Sequence, residues 1–509
     1  MLRFLRTPAL LATAFAAVLS LSGCGQAPVR TTPNDFTLDG RPRGHLTVLE
    51  KWADPQYAPY FARMAREYER RNPGVSIEIQ AVGDQPYKDR IAALAASRDL
   101  PDIYFAWPGQ YAERFADGKL AADLTSQLGD TAWGRSFVPD ALGAYRYDGR
   151  NYGVPVTLDA KVFAYNRRLF REAGVKGVPR TFPQLLSACD RIRKTGRTPV
   201  TFGNQYGWPV GHLLTQLNAM HVPPKVLASD YAARKGGGFR HPGYVRAFAD
   251  LRRLKERCFA PGGSSVSHEN AQTQLVYGKA AMQYLETVEF PFLTEKGGAP
   301  ASFERDWGFF PMPGDPGGQG DPRALAGGTD GLMVSNNSPR KALAVDFLKF
   351  LTARPQAREM VRELGWLSAV KGTSRAGRVK GLRSAQRLID GRRMSVWLDT
   401  RTDNKIVNPT LAAADSVLGG RVSPQEAVRR VREAADQAYR FSSRGGSSRD
   451  EASGTKASGD ELPGVGMSGD ELPGDETSAA TVPGNKASPG GASSPAHRRA
   501  GHPDQGGTR

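Results

Sequence analysis

The sequence predicts an α/β fold, on three observations. Residues 46–49 form a short apolar run, Val75, Ile77, Ile79 and Ala81 alternate with polar positions, and 103–106 is a third apolar run behind Pro101-Asp102. Runs and alternations of this length are strand signatures. Between them, Phe61, Met64, Ala65 and Tyr68 fall on one helical stripe that stops at Asn72-Pro73-Gly74, and Ile91, Leu94 and Ala95 mark a second helix. The order is therefore β-α-β-α-β. Strands joined by helices lie parallel and cross over right-handed, so the loops after them gather at one sheet edge, where open α/β sheets bind ligands. Those loops read Lys51-Trp52-Ala53-Asp54, Gly83-Asp84-Gln85-Pro86 and Trp107-Pro108-Gly109-Gln110, alternating aromatic faces with hydrogen-bonding side chains.

Further along, Asp148-Gly149 predicts a hairpin turn, and 162–165 a strand feeding a helix over 168–173 that ends at Gly174. Ser338 is a good N-cap with Pro339 at the first helical position, and Leu343, Phe347, Phe350 and Leu351 supply the buried stripe behind it. Ser423, Pro424 and Glu426 form a capping box, and Val428, Val431, Ala435 and Tyr439 recur on one face of the helix it opens.

The ends of the chain are of another kind. Residues 1–21 carry Arg3 and Arg6 ahead of an apolar stretch over 9–21, too short to span a membrane, and 1–23 reads as a secretory signal. It closes with Leu21-Ser22-Gly23-Cys24, which resembles the lipobox of bacterial lipoproteins, whose cysteine is acylated; an ordinary signal with a chance cysteine is the alternative. Residues 24–43, rich in proline and poor in apolar side chains, are a flexible tether. From 442 to 509 the chain is Gly, Ser, Pro and acidic residues, with Ser-Gly-Asp-Glu-Leu-Pro-Gly at 458–464 repeated at 468–474, and it predicts a disordered tail.

The formal net charge is +18; two arginines in the signal offset the tail's seven basic and nine acidic residues, so 24–441 hold the whole excess. A secretory signal and the absence of a long Lys/Arg run exclude nucleic acid as partner, and an anionic surface suits the field better. Cys189 and Cys258 either pair outside the cytoplasm or pack as two small apolar residues.

Leu100-Pro101-Asp102-Ile103, Gly118-Lys119-Leu120 with Leu124, Tyr152-Gly153-Val154-Pro155 and Tyr165-Asn166-Arg167-Arg168-Leu169-Phe170 resemble, in order and spacing, the extracellular solute-binding proteins of the maltose-binding family. Pro179-Arg180-Thr181-Phe182 with Leu185, and 327–334 followed by 338–353, extend the likeness. The resemblance implies two α/β lobes of the periplasmic-binding-protein kind, joined by hinge strands that cross near 154–158, 325–328 and 368–370, with a ligand cleft between. Lobe one would comprise 44–155 and 327–369, and lobe two 156–326 and 370–441, with both late cysteines in lobe two. It also implies a small-molecule solute, most readily a carbohydrate, delivered as a monomer to the permease subunits of an ABC transporter from the outer face of the cell membrane. The anchor would be the lipid on Cys24.

A cleft for a neutral sugar needs flat apolar faces and converging donors and acceptors. Trp52, Asp54, Gln85, Trp107 and Gln110 stand in the three sheet-edge loops; each Trp either faces the cleft or packs under its loop. Trp208, in a Gly-rich segment resembling the family stretch that brings an aromatic to the solute, is the foremost candidate. Asp159 lies just beyond the first crossover, as a hydroxyl acceptor or a hinge carboxylate. Glu286 stands where relatives commonly carry other residues and suggests a ligand with amino or many hydroxyl groups, and Asp330, where small residues are usual, is a candidate ligand acceptor. Trp366 sits at the third crossover, facing solute or packing on the hinge. No His-Glu-x-x-His, Gly-x-Ser-x-Gly, phosphate loop or Cys-x-x-Cys is present, so no catalytic residue, metal or cofactor is expected. The same fold holding a polyol, amino sugar, phosphosugar or peptide, and a polysaccharide-degrading surface lipoprotein with Glu286 and Glu289 as a carboxylate pair, remain the alternatives.

Overall fold

The computed structural model describes residues 36–232 and 238–450. The signal, Cys24 and the chain from 451 on, with the sequence repeat, lie outside the described residues. No described helix is long and apolar enough to cross a membrane. The strands are β1 (Arg43–Glu50), β2 (Gly74–Ala81), β3 (Ile103–Ala106), β4 (Arg146–Tyr147), β5 (Arg150–Asn151), β6 (Gly153–Pro155) and β7 (Thr157–Asn166). They continue as β8 (Thr198–Thr201), β9 (Ala280–Glu286), β10 (Trp307–Phe310), β11 (Leu325–Gly328), β12 (Gly331–Val334), β13 (Leu367–Ser368) and β14 (Met394–Ser395).

Two sheets organise them. The first runs β2-β1-β3-β12-β6, with β1 parallel to both neighbours as the β-α-β-α-β order requires, and with β12 and β6 entering antiparallel. The helix Ala58–Arg71 covers it with the predicted stripe, burying Phe61, Met64, Ala65 and Tyr68 together with Tyr60. β4 and β5 form the predicted hairpin across Asp148 and Gly149, whose φ angles of 47° and 79° are the left-handed pair a two-residue turn needs. The second sheet runs β14-β11-β7-β9-β8, with β10 and β13 also paired to β7. The fold is thus the two-lobe α/β arrangement.

β7 is the spine between the lobes. The chain leaves the first sheet at Pro155, enters the second at Thr157, and returns through Thr329 and Asp330 between β11 and β12. The two crossings are tied together, since Val156 N donates to the Asp330 carbonyl at 2.8 Å and Asp330 N donates to Thr157 Oγ1 at 3.1 Å. Successive strand residues point to opposite faces, and β7 uses both. Leu158, Ala160, Val162 and Ala164 enter the hydrophobic core that is continuous with the first lobe, Phe163 enters the core of the second, and Thr157, Asp159 and Lys161 are left for the space between.

Four details differ from the sequence reading or resolve it. Gly327 and Gly328 pair with Ala160 and Asp159 on β7, so β11 lies in the second sheet through two residues expected in lobe one. The helix expected from Pro339 begins at Lys341; Ser338 Oγ donates to buried Asp102 at 2.6 Å, which also accepts from Thr47 N at 2.9 Å, and itself accepts from Arg340 N at 3.0 Å, so the hydroxyl ties β1 and β3 to the helix approach. The last helix is Pro424–Asp450, with Glu426 N donating to Ser423 Oγ at 3.1 Å as the capping box predicts, and it continues past 442, where the tail was expected to begin. Cys189 and Cys258 are joined, S–S 2.16 Å, linking the helix Phe182–Arg193 to the end of Gly243–Arg257.

Candidate functional site

A cavity of about 1010 Å³ lies between the lobes. Its first-lobe wall comes from the loops after β1, β2 and β3, and its second-lobe wall from β9, the helices Trp208–His221, His268–Val276 and Leu398–Arg401, and the start of Asn404–Leu418. Trp52, Asp54, Trp107, Asp159, Trp208, Glu286, Asp330 and Trp366 all line it. Gln110 does not: it is the first residue of the helix Gln110–Asp117, and its Oε1 is buried with no hydrogen-bond partner among the described residues. Gln85 is in the first turn of Asp84–Ser97, and its side chain lies outside the described residues.

The aromatic residues divide by what covers them. Trp52 stacks on Phe61 at 4.6 Å and 6° and meets Phe105 edge-on at 5.3 Å, so only its rim reaches the cavity. Trp366 is wedged against Tyr57 at 4.5 Å and Trp52 at 5.8 Å, and Trp107 between Phe105 and Tyr111 at 4.7 and 4.9 Å. Trp208 is half-buried. It opens the helix Trp208–His221, whose every later residue is buried, rather than standing in a loop. His212, His268 and the Lys161 ammonium lie 5.0, 4.7 and 4.8 Å from its rings.

Charge is arranged in two groups. In the first lobe Lys51 Nζ lies 3.1 Å from Asp330 Oδ2 and 3.4 Å from Asp84 Oδ1, and Lys88 Nζ lies 3.4 Å from Asp84 Oδ2. Burial works against the Lys51 ammonium, but Asp330, Asp84 and Glu286 outweigh it and hold its pKa above the ordinary lysine value. For Asp330 the balance falls the other way, burial exceeding the help of Lys51, so its carboxyl titrates above the usual range. In the second lobe Lys161, 1% exposed, reaches Glu286 at 3.5 Å and Glu289 at 3.8 Å. His212 bridges Glu286 at 3.0 Å through Nδ1 and Asp399 at 3.4 Å through Nε2, and stacks on Trp397 at 4.1 Å. His268 Nε2 pairs with Glu289.

These contacts set the titration. Burial pushes Glu286 up, yet Lys161, His212 and Lys51 overcome it and hold the carboxyl well below its usual range. Glu289 and Asp399 are lowered in the same way, against burial, by His268 with Lys161 and by His212 respectively. Burial alone would lower the His212 pKa, but Asp399 and Glu286 raise it above its ordinary value. Asp159 is the exception, driven well up by burial and then by the neighbouring Glu286 charge. Its Oδ1 accepts from Thr287 Oγ1 at 2.7 Å, Ala160 N at 2.8 Å and Val288 N at 3.2 Å, leaving Oδ2 to the cavity the residue lines.

At the lobe boundary, Gly109 adopts φ +87°, and a Cβ there would lie 2.8 Å from Arg401 Cα; the loop after β3 thus packs directly on the short helix Leu398–Arg401. Sequence reasoning passed over Lys161, His212 as a site residue, His268, Trp397 and Asp399. Lys161 had a signal, the period-2 set Thr157, Asp159, Lys161 on an otherwise apolar strand. Trp397 and Asp399 had none, because more than 100 residues separate them from their partners. Outside the cleft, His221, Asp250 and Asp315 bring ligand-type atoms within 4.8 Å of one another. Opposite ring nitrogens face the two carboxylates there, Nε2 to Asp250 at 2.8 Å and Nδ1 to Asp315 at 3.9 Å, which is an ion-pair arrangement rather than converging metal ligands.

Residues 53–358, more than half of the chain, match the bacterial extracellular solute-binding protein family. A binding protein of Brucella abortus is 25% identical over 335 residues, covering 64% of this chain and 76% of its own. The multiple sugar-binding protein of Streptococcus mutans is 23% identical, covering 61% of this chain and 72% of its own. Among solved structures, a chitin oligosaccharide binding protein superposes with a TM-score of 0.70 at 20% identity, over 78% of this chain and 99% of that one, a likeness of fold.

Proposed function

The chain belongs to the bacterial extracellular solute-binding proteins, and from that premise we propose that it is the lipid-anchored receptor of an ABC importer, capturing a sugar or oligosaccharide between its lobes. The observation that carries the reading is the inter-lobe cavity of about 1010 Å³, large enough for an oligosaccharide, with an available indole at Trp208 and polar groups converging from both walls. The sugar-binding relatives support the solute class. The crossings at 155–157 and 329–330 support assigning 44–155 with 327–369 to one lobe and 156–326 with 370–441 to the other, apart from the end of β11 and from β13, which both pair with β7. A receptor is favoured over a glycosidase by the Glu286–Glu289 pair. Hydrolysis needs one protonated carboxyl acting as acid, whereas Lys161 and the two histidines hold both groups ionised.

Anchoring rests on Cys24, and delivery on the permease subunits that the family serves; the protein acts as a monomer without a cofactor. A thermal-shift screen over sugars, polyols and peptides tests the reading. A carbohydrate at a hundred times Kd should add about 2.7 kcal/mol of stability with no product formed. Stabilisation by peptides alone, or turnover of a polysaccharide, would defeat it. Cys24→Ser should release the protein from membranes, and retention after a salt wash would remove the anchor.

A further inference from the structure

The chain carries a formal charge of +18, yet the wall of its cleft has the opposite sign. Eight carboxylates line the cavity against three lysine or arginine side chains. Leaving out Asp159, and counting buried Lys161 with His212 and His268 of the wall as cations, the carboxylates still outnumber them seven to six. Charge elsewhere on the body is screened beyond a Debye length of about 8 Å at physiological ionic strength, so a bound solute experiences the wall and not the sum.

The cations present are already engaged. Lys51 and Lys88 are held by Asp330 and Asp84, Lys161 lies beneath Glu286 and Glu289, and the Arg114 guanidinium sits 3.9 Å over the Tyr111 ring. Two lining carboxylates, one from each lobe, have no ion-pair partner among the described residues. Asp54 accepts the Gln56 amide at 2.8 Å, and Glu269 the Tyr206 hydroxyl at 3.4 Å. Asp159, 7% exposed, also lines the cavity with its three hydrogen bonds gathered on Oδ1, but burial and the Glu286 charge favour its neutral form, so it stands outside the charge count.

Ionised carboxylates only accept hydrogen bonds, and a hydroxyl brings one donor where an ammonium brings three and a compensating charge. A neutral sugar enclosed here would leave negative charge desolvated and unmatched, a penalty that discriminates against it. Resting on the reading of the chain as a carbohydrate receptor, we propose that the solute is an amino sugar with a free ammonium group, which the carboxylate excess selects over neutral sugars of the same shape.

The test uses three β-1,4-linked disaccharides of one shape, chitobiose with free amines, N,N′-diacetylchitobiose and cellobiose, titrated calorimetrically into the full chain at pH 6. Chitobiose should bind at least tenfold more tightly than either neutral sugar. In the Asp54→Asn, Glu269→Gln double variant, which strands no lysine, the preference for chitobiose over cellobiose should fall about tenfold. Glu269→Gln alone, at an exposed helix start, serves if the double variant does not fold, with a proportionately smaller fall. Equal or tighter binding of a neutral disaccharide overturns the amino-sugar assignment and leaves the carbohydrate reading standing. A preference that survives in the variants overturns its origin in these carboxylates. Binding of none of the three overturns the carbohydrate reading and this inference with it.

Discussion

The two walls of the cleft are built on different principles. In the first lobe, three loops following successive strands present Trp52, Trp107 and paired Lys51, but Trp52 spends its face on Phe61, and Trp107 is held perpendicular to Phe105 and Tyr111 with Lys51 and Lys88 over its ring. That wall is the edge of a hydrophobic core. In the second lobe, Lys161, Glu286, His212 and Asp399 come from β7, β9 and two helices spread over more than 230 residues, and they form a buried chain of charges. Burying charge is costly unless every member is paired. The first wall should therefore answer to mutation mainly through packing, and the second through electrostatics and affinity.

The largest test of that difference sets one lysine against the other. Lys161→Met leaves Glu286 and Glu289 without their buried cation and should cost about 3–5 kcal/mol in urea unfolding. Lys51→Met, with Asp84 reaching solvent and Lys88 at hand, should cost about 1 kcal/mol or less. Equal losses would erase the distinction. Next in size is the disulfide, present in the second lobe and closing 69 residues; a chain-entropy estimate gives about 4 kcal/mol for a loop of that length. Cys189→Ser with Cys258→Ser should accordingly lower the denaturant midpoint of the second lobe first, visible as a biphasic transition by calorimetry. A single unshifted transition would show that the bridge contributes nothing.

Two tryptophans sharpen the contrast further. Trp52→Ala, removing an indole stacked in the core, should lose about 3 kcal/mol of stability. Trp208→Ala should instead weaken solute binding about thirtyfold, roughly 2 kcal/mol, at nearly unchanged stability. If the two variants exchange these signatures, the walls have been read the wrong way round.

A last set of effects comes from pH and is spread over several units of it. Glu50, buried beside Trp52 with Oε1 unpartnered among the described residues, is pushed up to about 7 by burial against the help of the Trp52 amide and Lys51. His212 is raised against burial by Asp399 and Glu286, with Lys161 behind Glu286 and Lys88 acting on Asp399. Both groups bind a proton more tightly folded than unfolded, so both contributions drain away as pH rises. For Glu50 the loss runs from its ordinary value of 4.5 up to about 7. For His212 it starts at the ordinary 6.5 and ends at the raised folded value. Melting temperature should fall across each window, since a tenfold difference in proton affinity between the folded and unfolded chain is worth about 1.4 kcal/mol. Glu50→Gln should flatten the acid part of the profile and His212→Gln the part above neutrality; a profile unchanged by both would discount these titrations.

The same asymmetry explains what could be read from the chain alone. The first lobe was legible because its strands alternate, its helix stripe spans 58–71 and its loops follow directly, so Trp52, Asp54 and Trp107 could be placed at one sheet edge. Gln110 misled because the loop it closes becomes a helix that draws its side chain away from the cavity. The second lobe hid its helix Trp208–His221, which is buried on every side from Pro209 onward and so has no amphipathic period to read. Its ion network was hidden for another reason. Nothing local brings Glu286 to Lys161 or Asp399 to His212; only the pairing of β7 with β9 and the return of the chain after 394 do so.

Five of the seven tryptophans, 52, 107, 208, 366 and 397, stand in the cavity wall. Indole emission responds to the polarity and charge around the ring, and Trp208 sits within 5 Å of an ammonium and two imidazoles. The molecule therefore carries its own optical reporter. Occupancy of the cleft should change intrinsic fluorescence without any label, and Trp208→Phe should remove the largest share of that change, turning the receptor into a direct readout for the search for its solute.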